Sequence, residues 1–148
     1  AGSFETHVAD EPAGVGAVFG RLRAERDLLV QPYIASVEEP GERSVVVIDG
    51  VVTHSVQKSP RFADDDESVT GPHDVADEQQ TLVEAALRDV PGPGPLLYAR
   101  VDMVPRGDGG WMLTELEVLE PSLFFRFSDE ALHRMVTGIQ NRLDAPAH

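Results

Sequence analysis

An α+β fold, with an antiparallel sheet built from hairpins and helices packed on one face, is what this 148-residue sequence predicts. Three observations lead there. Two pairs of apolar, β-branched runs are each joined by a turn signal: Asp49-Gly50 in the first, and Pro105 to Gly110, with three glycines and a proline, in the second. Segments before, between and after these pairs repeat apolar residues at helical spacing. Each paired-strand connection reads as a hairpin, which favours an antiparallel sheet over a parallel one.

The elements follow in order. Asp10-Glu11-Pro12 reads as a helix start, with Asp10 as cap and Pro12 tolerated in the first turn. Val15, Val18, Phe19 and Leu22 continue that helix to about Arg26. Leu28 to Tyr33 predicts a short buried strand that Pro32 ends. Ser44 to Ile48 and Val51 to Lys58 form the first hairpin, and Ser59 to Pro72, lacking periodicity, reads as a loop. Within it, Asp64-Asp65-Asp66-Glu67 has no apolar frame and reads as solvated. Leu82, Val83, Ala86 and Leu87 mark a helix over Asp74 to Arg88, stopped by the proline- and glycine-rich run from Pro91 to Pro95. Tyr98 to Val104 and Trp111 to Val118 form the second hairpin. Ser128-Asp129-Glu130 caps a last helix, whose apolar stripe is Leu132, Met135, Val136, Ile139 and Leu143.

Composition narrows the function classes. A net charge of −14 and a single lysine, Lys58, argue against a nucleic-acid surface, which needs clustered cations. Cysteine is absent, so disulfide frameworks and thiolate chemistry are excluded. No apolar run approaches a membrane span, and the N-terminus lacks the charged-then-apolar order of a signal peptide, which points to the cytoplasm. Gly14 to Gly20 has the wrong spacing for a dinucleotide loop and does not follow a strand. His7, His54, His73, His133 and His148 show no metal-ligand spacing, although His54 shares a strand face with Lys58.

The second hairpin carries the chemistry. Alternation puts Arg100 and Asp102 on one face of its first strand, and Glu115 and Glu117 on one face of the second. In a register that joins those sets, three carboxylates converge on one guanidinium. Like charges across a strand pair destabilise it, and one arginine cannot neutralise three carboxylates, so the patch calls for a further cation. Hard divalent ions prefer such oxygen donors, which makes Asp102, Glu115 and Glu117 candidate magnesium ligands. The other reading of the same residues is a solvated acidic strand face.

The stretch from Leu97 to Asp102, with Leu113-Thr114-Glu115-Leu116-Glu117 and Glu120-Pro121-Ser122, resembles the end of an ATP-grasp domain of the glutathione synthetase-like branch. A second block, Leu29 to Ile34 followed by Gly41 to Gly50, resembles the family's adenine-binding linker and the strand and turn beneath the nucleotide. The two blocks stand in the family's order. The resemblance implies the ATP-grasp C-terminal subdomain, as one domain over residues 1–148 that begins inside the family's Gly/Ser loop at residues 1–6. It further implies that the N-terminal domain and first ATP-grasp subdomain are absent, and that the chain does not catalyse ligation alone.

The implied activity is an ATP-dependent carboxylate–amine (or thiol) ligase acting through an acylphosphate on small-molecule acid and amine substrates. ATP and Mg²⁺, or Mn²⁺, are the implied cofactors. Gln31, Pro32, Tyr33 and Ile34 would meet adenine, Pro32 supplying only C=O and Ile34 supplying N–H. Glu42 would lie near the ribose hydroxyls and Lys58 near the phosphates. Arg100 would stabilise the transferring group. Most relatives have asparagine where this chain has Glu117, which leaves the number of metal ions open. Homo-oligomerisation is open too. A nucleotide-binding remnant without turnover, or an unrelated acidic interaction domain, are the alternatives.

Overall fold

A computed structural model describes residues 7, 11–59, 68–92 and 94–145. The chain divides into two compact units, Ala1–Ile34 and Ala35–His148, where the sequence predicts one domain. The Asp10 cap, the Gly/Ser loop and the acidic run at 64–67 lie outside the described residues.

In the smaller unit, α1 (Pro12–Leu22) starts on a proline in its first turn, as expected, and has no buried residue. The strand expected at Leu28 to Tyr33 does not form: residues 27–34 have no regular structure, and Leu29 is 88% exposed. Pro32 removes a ladder donor, and the described part of this unit offers no strand to pair with.

The larger unit is a five-stranded antiparallel sheet in the order β3-β2-β1-β4-β5. Its strands are β1 (Glu42–Ile48), β2 (Val51–Lys58), β3 (Val69–His73), β4 (Tyr98–Pro105) and β5 (Trp111–Glu117). The α+β antiparallel class is therefore as predicted. Asp49 and Gly50 turn β1 into β2 with φ of 50° and 74°, the positive values a two-residue hairpin turn requires. Strand β3 replaces part of the expected loop. Gly71 and Pro72 mask it in the sequence, and it is tolerated because β3 is an edge strand that can lack one donor.

Helices α2 (Asp77–Arg88) and α3 (Asp129–Asp144) take opposite faces of the sheet rather than one. Val83 of α2 packs with Val45, Val47, Ala99, Val101 and Met103, while Ala131 and Met135 of α3 pack with Val46 and Ile48. The cause lies in β1. Val45, Val46, Val47 and Ile48 are all buried, so both faces of this central strand are apolar and each needs cover. Each such side chain contributes on the order of 1.5–3 kcal/mol. Gln79 caps α2 by accepting from the Ala76 amide at 2.9 Å; Ser128 caps α3, accepting from the Ala131 amide at 3.1 Å. Arg142 of α3 donates to Asp49 at 2.7 Å and to the Pro95 carbonyl at 2.9 Å, tying the helix to the β1–β2 turn. No helix among the described residues is long and apolar enough to cross a membrane.

Two bulges decide what each face carries. Between β1 and β2, Val47 pairs with Val52 but Val46 pairs with His54, leaving Thr53 extra. Between β4 and β5, Met103 pairs with Leu113 but Asp102 pairs with Glu115, leaving Thr114 extra. One extra residue reverses the parity of everything beyond it. Without the first bulge, Glu42 would face Gln57; with it, Glu42 faces Lys58. Without the second, Asp102 would face Thr114 and Arg100 would face Leu116; with it, they face Glu115 and Glu117.

Candidate functional site

Through those registers, Glu42 and Ser44 of β1, Lys58 of β2, Arg100 and Asp102 of β4, and Glu115 and Glu117 of β5 share one face of the sheet. Asp102 is its centre and is 0% exposed. The Arg100 guanidinium donates to both of its oxygens, from Nε to Oδ1 at 2.9 Å and from Nη2 to Oδ2 at 2.8 Å. Lys58 Nζ donates to Oδ2 at 2.7 Å and pairs with Glu42 Oε2 at 2.6 Å. The other edge of the guanidinium meets Glu117 Oε2 at 2.9 Å, and Glu115 Oε2 stands 3.6 Å from Nη2. Thr114, brought to this face by its bulge, donates its hydroxyl to Glu42 Oε1. Phe124, with φ of 48°, sets its ring 5.9 Å from the Arg100 guanidinium carbon.

Four carboxylates around two cations leave the cluster two negative charges in excess. The strain is not shared evenly. Burial alone would raise the Asp102 carboxyl, but hydrogen bonds from Arg100 and the charges of Lys58 and Arg100 outweigh it and hold the group below its ordinary pKa. Glu115 is pushed up, first by burial and then by the Glu117 and Asp102 carboxylates, against which the cations do too little. Its side chain is 47% exposed, so the unmet charge faces solvent.

Oxygen-only donors of this kind suit Mg²⁺ or Mn²⁺ in chemistry. Ser44 adds a fully buried hydroxyl, opposite Asp102 in register, with no hydrogen-bond partner. Yet among the described residues no three acidic or histidine side chains converge on one point. The nitrogens of Lys58 and Arg100 stand between the carboxylates, and both oxygens of Asp102 are taken.

The expected convergence of Asp102, Glu115, Glu117 and Arg100 is thus present as a charge cluster. The structure adds Glu42 and Lys58 to it, residues the sequence placed near ribose and phosphates. It also adds Ser44, Thr114 and Phe124, which sequence reasoning missed; the one available signal was the position of Ser44, two residues after Glu42 on the same strand face. His54 is a core residue, buried beside its Thr53 hydroxyl contact of 3.0 Å, and burial holds its imidazole below the ordinary pKa despite the nearby Leu123 and Phe124 backbone. Gln31, Pro32, Tyr33 and Ile34 lie in the irregular end of the smaller unit, the first three exposed.

No protein-family model matches the chain. Over 127 residues it is 34% identical to the cycloserine biosynthesis protein DcsG of Streptomyces lavendulae, a match covering 78% of this chain and 42% of that protein. Its fold is similar to the crystal structure of D-cycloserine synthetase DcsG, with a TM-score of 0.65, 32% identity, and coverage of 77% of this chain and 42% of that one. A structure of the ATP-grasp ligase PsnB complexed with minimal precursor matches 67% of this chain and 33% of that chain at 18% identity, with a TM-score of 0.43. The chain spans less than half the length of the curated relative it matches.

Proposed function

This chain belongs to the ATP-grasp superfamily, corresponding to the C-terminal part of its ligases, and from that premise we propose that it serves an ATP- and Mg²⁺-dependent ligase. The reaction joins a small-molecule carboxylic acid to an amine or thiol. The γ-phosphoryl group of ATP passes to the acid, and the nucleophile displaces phosphate from the resulting acylphosphate.

The observation that carries this reading is the doubly negative cluster around Asp102, built by two bulges that bring four strands' polar residues to one face. A solvated acidic face would not bury its central carboxylate completely. It also would not sheathe its arginine with an aromatic ring.

Asp102, Glu115 and Glu117 are the carboxylates this reading assigns to Mg²⁺ or Mn²⁺, but as placed they form no cage for the ion, because Arg100 and Lys58 occupy both oxygens of Asp102; such an ion would supply neutralisation of phosphate charge. Arg100 fixes Asp102 and Glu117 in position and offers its remaining capacity to the transferring group. Lys58 supplies a flexible point charge for the phosphates. Pro32 C=O and Ile34 N–H offer the acceptor and donor that an adenine edge requires.

The test is Mg²⁺-dependent ATP binding by calorimetry, followed by ADP release on addition of carboxylic acids with hydroxylamine as the trapping nucleophile. Hydroxamate formed in step with ADP supports an acylphosphate ligase. ATP binding that is unaffected by Mg²⁺ and by Glu115→Gln would remove the carboxylate cluster from nucleotide chemistry.

A further inference from the structure

Lys58 and Arg100, the two cations of the cluster, are committed to carboxylates. Arg126 is not. Its guanidinium carbon stands 4.6 Å from the centre of the Phe127 ring and 5.8 Å from that of Phe124, and it has no carboxylate partner among the described residues. In a chain of net charge −14, such a cation is left for a ligand. We propose that Arg126 is the receptor for a carboxylate of the substrate, one other than the carboxylate that is activated. The identification of that carboxylate as substrate rests on the ligase reading above; the anion site does not.

The neighbours of Arg126 fix its place. Leu123, Phe124 and Phe125 pack with Val46 and Ile48, on the face of β1 that also carries Glu42 and Ser44. The Phe124 ring also stands 5.9 Å from the Arg100 guanidinium carbon, so one ring serves both arginines. An anion on Arg126 is thereby held beside the cluster. Phe124 has φ of 48°, a left-handed conformation that a bulky residue adopts only at a cost, and such strain gathers where a ligand is clamped. The amides of Phe127 and Ser128 donate to the carbonyls of Phe124 and Phe125 at 2.9 and 3.1 Å, and Ser128 goes on to cap α3. Arg126 is therefore exposed to solvent on a backbone held from both ends.

The chemistry selects a carboxylate. The cluster carries two excess negative charges and repels an anionic substrate, so binding one there requires a cation that the protein has not already neutralised. The guanidinium fork matches the two oxygens of a carboxylate, and the aromatic contacts pre-organise it, so less freedom is lost on binding. One uncommitted guanidinium balances the single charge of a carboxylate, where a phosphate dianion would call for a second free cation.

The experiment is a titration of the ¹⁵N-labelled 148-residue chain with benzoate at neutral pH and constant ionic strength, followed at the arginine Nε–Hε resonances. Arg126 should shift saturably, while Arg88, exposed at the end of α2, should not. Benzamide, the neutral counterpart, should produce no saturable shift, and inorganic phosphate should bind more weakly than benzoate. Backbone amides of Phe124 and Phe127 carry the same titration into the variants. Arg126→Gln should weaken benzoate binding at least ~10-fold, the worth of a hydrogen bond to a charged group. Arg126→Lys, which keeps the charge without the fork, should weaken it by less.

The amide spectrum shows whether each variant is folded, and Arg126→Lys carries the comparison if Arg126→Gln is not. No saturable shift at Arg126, equal shifts at Arg126 and Arg88, an equal response to benzamide, or unchanged affinity in the folded variants would each overturn the receptor. Phosphate binding tighter than benzoate would overturn the choice of a carboxylate. The titration contains no ATP, so its failure strikes the receptor alone. Failure to form hydroxamate strikes the ligase reading, and the assignment to substrate with it.

Discussion

Lys58 and Asp102, 44 residues apart in the chain, meet at 2.7 Å across β2, β1 and β4, with the intervening strand contributing Glu42 to the same ammonium. This pair ties the two hairpins together through side chains as well as through the β1–β4 ladder. It also sets the charge balance on which the site depends.

Asp102→Asn should therefore destabilise the fold by about 3–5 kcal/mol in urea titrations, because it leaves two cations beside a neutral amide in a buried place. The pH dependence has a definite sign. The folded pKa of Asp102 is depressed, so its contribution is present above the ordinary carboxylate value and is lost as pH falls through the lower folded value. Wild type should lose its advantage over Asp102→Asn in acid. A constant difference between the two from neutral pH down to pH ~2 would contradict the assignment.

Glu115 should behave in the opposite way. Its folded pKa is raised, so its contribution is favourable below the ordinary value and is lost as pH rises through the folded value. Glu115→Gln imitates the protonated acid and should melt at a higher temperature than wild type at neutral pH. The gap should close in acid. The gain stays small, below ~1 kcal/mol, because half-exposed charges are screened. A variant less stable than wild type at neutral pH would show that Glu115 is needed to balance Arg100.

How far the sequence revealed this arrangement depended on the range of the forces involved. Asp49-Gly50 and the Pro105 to Gly110 turn declare their hairpins locally, and Ser128 declares the start of α3. The grouping of Arg100 with Asp102, and of Glu115 with Glu117, follows from strand alternation alone. Their meeting does not, because it requires Thr114 to be skipped in the ladder. Thr53 plays the same part for Lys58, and neither threonine is distinguishable in sequence from an ordinary strand residue. Strand β3 hid behind Gly71 and Pro72, whose local preference runs against a strand until edge placement permits it. The four consecutive buried aliphatic residues of β1, Val45 to Ile48, were visible, and they signal cover on both faces; the expectation of helices on one face overlooked them. Gln31 to Ile34 resembled a linker by residue type, and that resemblance contained nothing about exposure.

Arg100→Lys tests the geometry of the fork. Lysine keeps the charge but cannot hold both oxygens of Asp102 and reach Glu117 together, as the guanidinium does. We expect a stability loss of ~1–3 kcal/mol, from weakened charge-assisted hydrogen bonds. In a ligase assay, turnover should fall more than nucleotide affinity, since the planar fork would act on the transferring group. Equal losses in both would assign Arg100 a structural role alone.

Gly41→Ala tests the entry to β1, where the site begins. Gly41 has φ of +93°, and a Cβ there would stand 2.4 Å from the Lys58 carbonyl oxygen. That oxygen belongs to the backbone of β2 and cannot rotate aside. The substitution must therefore either open the β1–β2 ladder at the Glu42–Lys58 pair or force alanine into a left-handed conformation against a steric clash. A loss of at least ~2 kcal/mol is expected, more than the backbone preference alone would give. Gly50→Ala is the control. Its φ of +74° is also positive, but its Cβ would meet only the Pro95 side chain at 3.2 Å. Gly50→Ala should accordingly cost less than Gly41→Ala, and it should leave the site intact. Hydrogen exchange separates the two, because Gly41→Ala should expose amides of β1 and β2 near Glu42 and Lys58, while Gly50→Ala should affect only the turn. If both variants melt alike and neither alters exchange at Lys58, then contact between Gly41 and β2 does not hold the cluster together.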